Sequence, residues 1–299
     1  VPSIETESLR GDRCLGQNFF KTICRECVGM AQSKPIRLVV HGAAGRMGRR
    51  IVAVAALDGI WNLVAAIERS SHPLTGEDSG LLAGTGSNKV TIASQWHEAA
   101  DVIIDFSLPG AVAGIAAVAA EKKIPLVVAT TGLGPVDRLA IESASTTIPV
   151  LESPSMSLAV NVALDLVARA GRLLAEVGGR CDVEILEWHH RHKEDAPSGT
   201  ALAFGKRVTA AMGQSRASHG REGRPGARPA DEIGYHAIRA GDNPGEHTIL
   251  FGMEGESLSV AVRATNRDCY ARGALAAAEF LVGKPAGLYS MRDVLGLSD

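Results

Sequence analysis

No apolar run in this chain approaches the ~20 residues that a membrane-spanning helix needs. Neither sign of charge is in excess, since 31 Lys and Arg stand against 33 Asp and Glu for a formal net charge of −2. The first absence argues against a membrane partner. The second argues against nucleic acid, whose phosphates demand a basic surface. Cysteine is scarce: of five, Cys14, Cys24 and Cys27 fall in the first thirty residues, which leaves only Cys181 and Cys269 in the body. That usage suits a reduced, cytoplasmic protein. Cys24-x-x-Cys27 has no second pair to complete a metal site, and no metal is expected. A secretory signal is also lacking, because residues 1–29 have no apolar h-region, and Glu5, Glu7, Asp12 and Glu26 are wrong for an acid-poor transit peptide. Met30 is expected to be the natural start, with residues 1–33 a flexible or non-native extension.

What is present is a 299-residue chain, 45% hydrophobic, long enough to bury two cores. Residues 36–40 form a short, mostly apolar run ending at His41. G-A-A-G-R-M-G follows at 42–48, then an apolar helical pattern through Met47, Ile51 and Val54. Strand, glycine turn and helix in that order let backbone approach a pyrophosphate at a helix N-terminus. Gly42, Ala43, Ala44, Gly45, Arg46 and Met47 are therefore candidate cofactor contacts, although Ala44 replaces one glycine of the commonest form of this turn. Residues 63–67 read as a second strand ending at Glu68, twenty residues beyond Gly48, where a carboxylate can accept from the adenosine ribose. Arg69 beside it suits a 2′-phosphate, so the pair predicts a site for NADH or NADPH.

The rhythm continues with a strand at 102–106, a small-residue helix at 111–120, a strand at 126–129 followed by Thr130-Thr131-Gly132, and a strand at 148–151. This alternation predicts an α/β fold with a parallel, doubly wound sheet, whose ligands lie at the carboxyl edge of the strands. Thr130, Thr131 and Gly132 are candidates for the nicotinamide half of the cofactor.

The second half reads differently. Residues 158–177 predict one long helix, and 181–188 a strand in which Val183 and Ile185 alternate with polar residues. E-W-H-H-R-H-K-E-D-A-P-S-G-T-A at 187–201 then crowds three imidazoles and an ammonium group between that strand and a helix over 200–212, started by Pro197 and Ser198 and carrying Leu202, Phe204 and Val208 at helical spacing. The N–H groups of a helix start, the Ser198 and Thr200 hydroxyls and Lys193 suit a carboxylate. His189 or His190 can exchange a proton near neutral pH, which points to an enzyme acting on a small organic acid. Two blander readings stand beside it. His190 and His192 share a face of an extended chain and could bind zinc, although no Cys or carboxylate at ligand spacing completes the set and Lys193 repels a cation; or the cluster is a solvated basic surface. Beyond a Gly/Arg/Pro-rich loop at 218–230, strands are expected at 233–239, 247–253 and 258–264, with turns at 241–245 and 254–256 that suit antiparallel hairpins. This α+β sheet has one face that needs cover, so a subunit interface is expected. A helix over 271–282 is expected to return to the first domain.

Taken together, G-A-A-G-R-M-G with Glu68-Arg69, A-T-T-G-L at 129–133, the His-rich segment, R-A-G-D-N-P-G-E-H-T at 239–248 and M-R-D-V-L-G-L at 291–297 resemble the 4-hydroxy-tetrahydrodipicolinate (dihydrodipicolinate) reductase family over residues 36–297. The resemblance implies a Rossmann-type domain (34–156 with 270–299), a substrate-binding and oligomerisation domain with an open mixed sheet (157–269), and a homotetramer. It implies NAD(P)H-dependent reduction of a cyclic, unsaturated dicarboxylate in lysine and diaminopimelate biosynthesis. His189 matches the general acid and Lys193 its partner; His190, Ser198, Gly199 and Thr200 match the dicarboxylate site. Residues 42–47 with Glu68 and Arg69 match the adenosine and pyrophosphate side, and Thr130, Thr131 and Gly132 the nicotinamide side. Two departures stand out. Ala129 replaces a glycine, and Ser153-Pro154-Ser155-Met156-Ser157 replaces A-x-N-F/M-S, with Ser155 where the family has Asn. Ala129, Ser153, Pro154, Ser155 and Met156 are kept as cofactor contacts, since loop backbone serves whatever the side chain. The rival readings are another Rossmann-fold dehydrogenase and a non-catalytic NAD(H) sensor.

Overall fold

The computed structural model describes residues 34–297; the expectations for the first 33 residues, including Met30 and Cys14, Cys24 and Cys27, lie outside them. In chain order the first part comprises β1 (Ile36–His41), α1 (Arg46–Ala55), β2 (Trp61–Ile67), α2 (Ser79–Ala83), β3 (Ile92–Ala93), β4 (Val102–Asp105), α3 (Val112–Lys122), β5 (Leu126–Val128), α4 (Pro135–Ser145) and β6 (Pro149–Glu152). The second comprises α5 (Leu158–Val177), β7 (Asp182–His189), α6 (Gly199–Met212), β8 (Arg216–His219), β9 (Glu232–Arg239), β10 (Gly245–Gly252) and β11 (Ser257–Ala264). The chain closes with α7 (Asp268–Leu281), β12 (Gly287–Tyr289) and α8 (Met291–Leu295).

The first sheet is parallel throughout, in the order β12-β6-β5-β4-β1-β2-β3. Its strands are apolar on both faces because helices cover both. In β1, Leu38 and Val40 enter the core beneath α1 and α7 while Val39 enters the core beneath α3 and α4. Burying a side chain such as Ile51, which is fully inaccessible, contributes about 1.5–3 kcal/mol. The chain returns to this sheet after the second: α7 packs on α1 and β4, and β12 pairs with β6.

The second sheet is mixed, in the order β11-β10-β7-β9-β8. In β7, Val183 and Ile185 turn inward to Phe204 and Val208 of α6 and Val167 of α5. Leu202, expected on the same inward stripe, is exposed instead. The opposite face exposes Leu186, Trp188 and Ile238.

One topological expectation is corrected. The turn at 241–245 does not close a hairpin, because β7 lies between β9 and β10, parallel to the first and antiparallel to the second. Local turn chemistry reports a reversal of direction but not which strand fills the gap. The turn at 254–256 does join the paired strands β10 and β11. Short elements also went unread. β3, β8 and β12 have two to four residues, too few for a period to show. α4 did carry a signal, with Pro135 in its first turn and an Asp137 that caps it.

Candidate active site

The glycine turn is built by close contact. Gly42 has φ +77°, and a Cβ there would lie 2.5 Å from the Phe106 carbonyl oxygen. The Gly42 and Ala43 amides both donate to the Ile67 carbonyl, which ties the turn to β2. α1 starts at Gly45, whose N-cap position offers no side-chain acceptor and whose first turn holds no acidic residue. The positive end of that helix is thus left for an external anion. Arg46 is exposed at its start, whereas Ala43 and Ala44 are buried and Met47 packs against the core. At the end of β2, the Glu68 carboxylate accepts from the Arg69 amide (3.2 Å) and the Arg69 side chain is exposed.

Beneath this edge sits a buried acid. Asp105, at the end of β4, accepts from Thr130 Oγ1 (2.6 Å) and pairs with His41 Nδ1 (2.6 Å), so one carboxylate joins the ends of β1, β4 and β5. Ala129 and Thr130 are buried, while Thr131 is exposed. In the following loop, Ser153 is buried, its hydroxyl donating to the Ser155 carbonyl (2.8 Å), and Pro154 is exposed. Met156 enters the core, and its carbonyl oxygen lies where a Cβ on Gly273 would fall.

The His-rich segment divides sharply. His189, the last residue of β7, is buried, with Nδ1 against the Glu187 carboxylate. Glu187 also accepts from the Ser198 amide (3.0 Å) and from Arg239 Nη1 (2.9 Å) and Nη2 (2.7 Å). Burial alone would raise the Glu187 carboxyl, but the hydrogen bonds from His189 and Arg239 outweigh it and hold the group at about 2. Ser198 is turned inward: its hydroxyl caps α6 by accepting from the Ala201 amide (3.1 Å) and shares a hydrogen bond with His247 Nε2 (3.1 Å). Burial pushes His247 down to about 4, so it is neutral at physiological pH. Lys193 donates to the exposed Asp195 (2.7 Å), and the Gly199 amide stands at the start of α6, with Thr200 half-buried behind it.

His190 faces elsewhere. It borders a cleft of about 1270 Å³ whose walls include Arg46, Arg49, His190, Arg191, His192 and Arg267. Its Nδ1 is buried without a hydrogen-bond partner among the described residues, and burial, then the nearby Arg267 charge, lower its pKa. Thus the cleft joins Arg46 of the glycine turn to His190 and His192 of the second motif. His189, Lys193, Ser198, Glu68 and Thr130 are not among its walls.

The zinc reading changes too. Among the described residues, the ligand atoms gathered within 4.8 Å are those of Glu187, His189 and His247 rather than of His190 and His192. Glu187 is already paired with Arg239, whose charge opposes a cation there. Arg239 and His247 had counted in the sequence reading only as further cationic groups, and Glu187 of the cluster around His189 and Arg49 and Arg267 of the cleft wall had been given no role. Arg49 had a readable signal, lying one residue beyond the glycine turn.

The family patterns described as dihydrodipicolinate reductase, N-terminus and C-terminus match residues 36–156 and 159–295 respectively. The chain belongs to the dihydrodipicolinate reductase family. It is 52% identical over 273 residues to a 4-hydroxy-tetrahydrodipicolinate reductase of Rhodopirellula baltica, covering 89% of this chain and 98% of that one. It is 46% identical to the reductase of the same name from an Anaeromyxobacter species, over 88% and 98% of the two chains. Among solved structures it is similar to the dipicolinate-bound dihydrodipicolinate reductase from Paenisporosarcina sp. TG-14, with TM-score 0.67 and 21% identity over 86% and 97% of the chains. The WlbA dehydrogenase from Thermus thermophilus, solved with NAD and α-ketoglutarate, shares the fold at TM-score 0.52 and 14% identity, over 84% and 90% of the chains. The resemblance read from the motifs therefore holds, as does the α/β architecture of a dihydrodipicolinate reductase.

Proposed function

We propose that this chain catalyses the reduction of 4-hydroxy-tetrahydrodipicolinate to tetrahydrodipicolinate, with loss of water, in lysine and diaminopimelate biosynthesis. As a family member it is a pyridine-nucleotide-dependent reductase. The observation that carries the reading is the cationic cleft in which Arg46, beside a dinucleotide turn, faces His190 of the acid-binding motif. It suits a phosphorylated cofactor and a dicarboxylate held in one place.

A reduced nicotinamide supplies the hydride when bound. The uncapped start of α1, the Gly42 turn and Arg46 suit its pyrophosphate; Glu68 and Arg69 suit the ribose of NADH or NADPH; Ala129, Thr130, Thr131 and the loop at 153–156 suit its nicotinamide half. Lys193 and the helix start at Ser198, Gly199 and Thr200 suit one carboxylate of the substrate, with Lys193 exchanging Asp195 for it, and His190, on the cleft wall with Arg46, suits the other. His189 returns a proton to the ring after hydride addition. Domain limits of 34–156 with 270–299, and 157–269, follow the two sheets. No helix among the described residues is long and apolar enough to cross a membrane, and we assign the protein to the cytoplasm.

Mixing the protein with freshly generated substrate and either NADH or NADPH is expected to give loss of nicotinamide absorbance with both. No oxidation with either cofactor rejects the reaction; oxidation with one alone rejects only the dual site.

The exposed Leu186, Trp188 and Ile238 face is assigned to a homotetramer interface, because an exposed apolar sheet face needs cover. Light scattering is expected to give four times the 31.2 kDa chain mass, and L186E with I238E a smaller species. A monomeric wild type overturns the assignment.

A further inference from the structure

We infer that Glu187 is the positioning residue for His189: its carboxylate keeps the imidazole protonated on Nδ1, which makes Nε2 the atom that gives up a proton, and Arg239 holds that carboxylate. The inference rests on His189 being the proton donor of the proposed reaction.

The register of the second sheet assembles the group. Glu187 and His189 are two apart on β7 and face the same side. Glu187 lies opposite His247 of β10, and His189 opposite Arg239 of β9. The carboxylate thus receives Nδ1 from its own strand, a guanidinium from β9 and the Ser198 amide from the start of α6. These are four donors on two oxygens, and they pin the carboxylate from three directions. Arg239 is itself tied to the Asp195 carbonyl (2.6 Å), beside the Lys193–Asp195 pair. The remaining neighbour, His247, meets the His189 ring edge-on at 5.2 Å and shares its hydrogen bond with Ser198.

The other nitrogen of His189 lies against Gly245. A Cβ built on Gly245 would lie 2.9 Å from Nε2 and 3.3 Å from Cδ2. Any side chain at that position would crowd the proton-bearing atom, which only glycine avoids. The chemistry balances on this geometry. After hydride addition the ring carries an electron pair; that pair forms a C–H bond with the Nε2 proton, the N–H bond breaks, and imidazolium becomes neutral imidazole with Nδ1–H still on Glu187. Arg239 then remains as counter-charge, so the buried carboxylate is never left alone, which would be costly. An orienting acid of this kind sets the tautomer without itself taking the proton.

The test is Glu187→Gln, near-isosteric but carrying an amide donor where one of the four donors needs an acceptor. Turnover is expected to fall about 10²-fold with KM for cofactor unchanged, the signature of an interaction used only in the reaction step. Nitrogen-15 histidine NMR of the wild type is expected to show neutral His189 protonated on Nδ1, a readout that a merely structural carboxylate does not dictate and one that needs no variant to fold. The opposite tautomer overturns the inference, and so does E187Q at wild-type turnover when His189→Ala has lost it. A His189→Ala that keeps turnover rejects the role of His189, and a wild type that oxidises neither cofactor rejects the reaction.

Discussion

His189→Ala is expected to lower turnover by about 10²- to 10⁴-fold, the usual contribution of a positioned general acid, while NADH or NADPH binding stays at the wild-type level. The reason is spatial. His189 belongs to β7 of the second sheet, whereas the glycine turn belongs to β1 and α1 of the first, so removing the imidazole leaves the dinucleotide turn intact. Lys193→Ala is expected to lose turnover as well, with a rise in substrate KM, because its ammonium group sits on the turn after His190 and pairs with an exposed Asp195 carboxylate. A dicarboxylate substrate competes for that group with an advantage in charge. Steady-state kinetics and a fluorescence titration of the cofactor check both variants; near wild-type turnover in both would remove His189 and Lys193 from their roles.

Gly48→Ala is expected to abolish cofactor binding and to destabilise the protein by at least about 3 kcal/mol, at the upper end of overpacking costs. A Cβ at Gly48 would lie 2.2 Å from the Gly42 carbonyl oxygen, 2.6 Å from Ala43 Cα and 2.8 Å from the Gly42 carbonyl carbon. All three are backbone atoms, so no rotamer relieves the clash. α1 must move off the turn that holds the pyrophosphate, and the close helix–strand packing of the motif is lost. Gly59→Ala is the matched control, because no described residue lies within 4 Å of a Cβ there. Thermal melting and cofactor titration of the pair decide the matter: a Gly48→Ala protein that binds cofactor like the control removes the argument from close approach.

Much of the architecture was legible because it is local. The long helix was read at the limits observed for α5, and the alternation of Val183 and Ile185 predicted β7 and its buried face. The glycine turn was read with its flanking strand and helix in place. These features depend on side-chain period and on the conformational freedom of glycine, properties carried by a few neighbouring residues. The candidate site was legible in outline for the same reason: 187–201 announced an acid, a base and a helix start within fifteen residues.

What stayed hidden depends on pairing between distant segments. Spacing alone separated the imidazoles by face, putting His190 with His192 and His189 apart, but not by environment. Only the sheet register brings Arg239 and His247 to the Glu187–His189 pair of β7, and only tertiary packing puts His190 on one cleft with Arg46 and Arg267. Sequence by itself determined the succession of strands and helices, the dinucleotide turn and the acid-handling motif, because each is written in local periodicity and backbone freedom. Tertiary structure decided the partners: which strand fills the gap between β9 and β10, which guanidinium meets the Glu187 carboxylate, and that the Met156 side chain lies in a core. Those outcomes rest on contacts between residues some fifty positions apart, such as Glu187 with Arg239, and no short window of sequence encodes them.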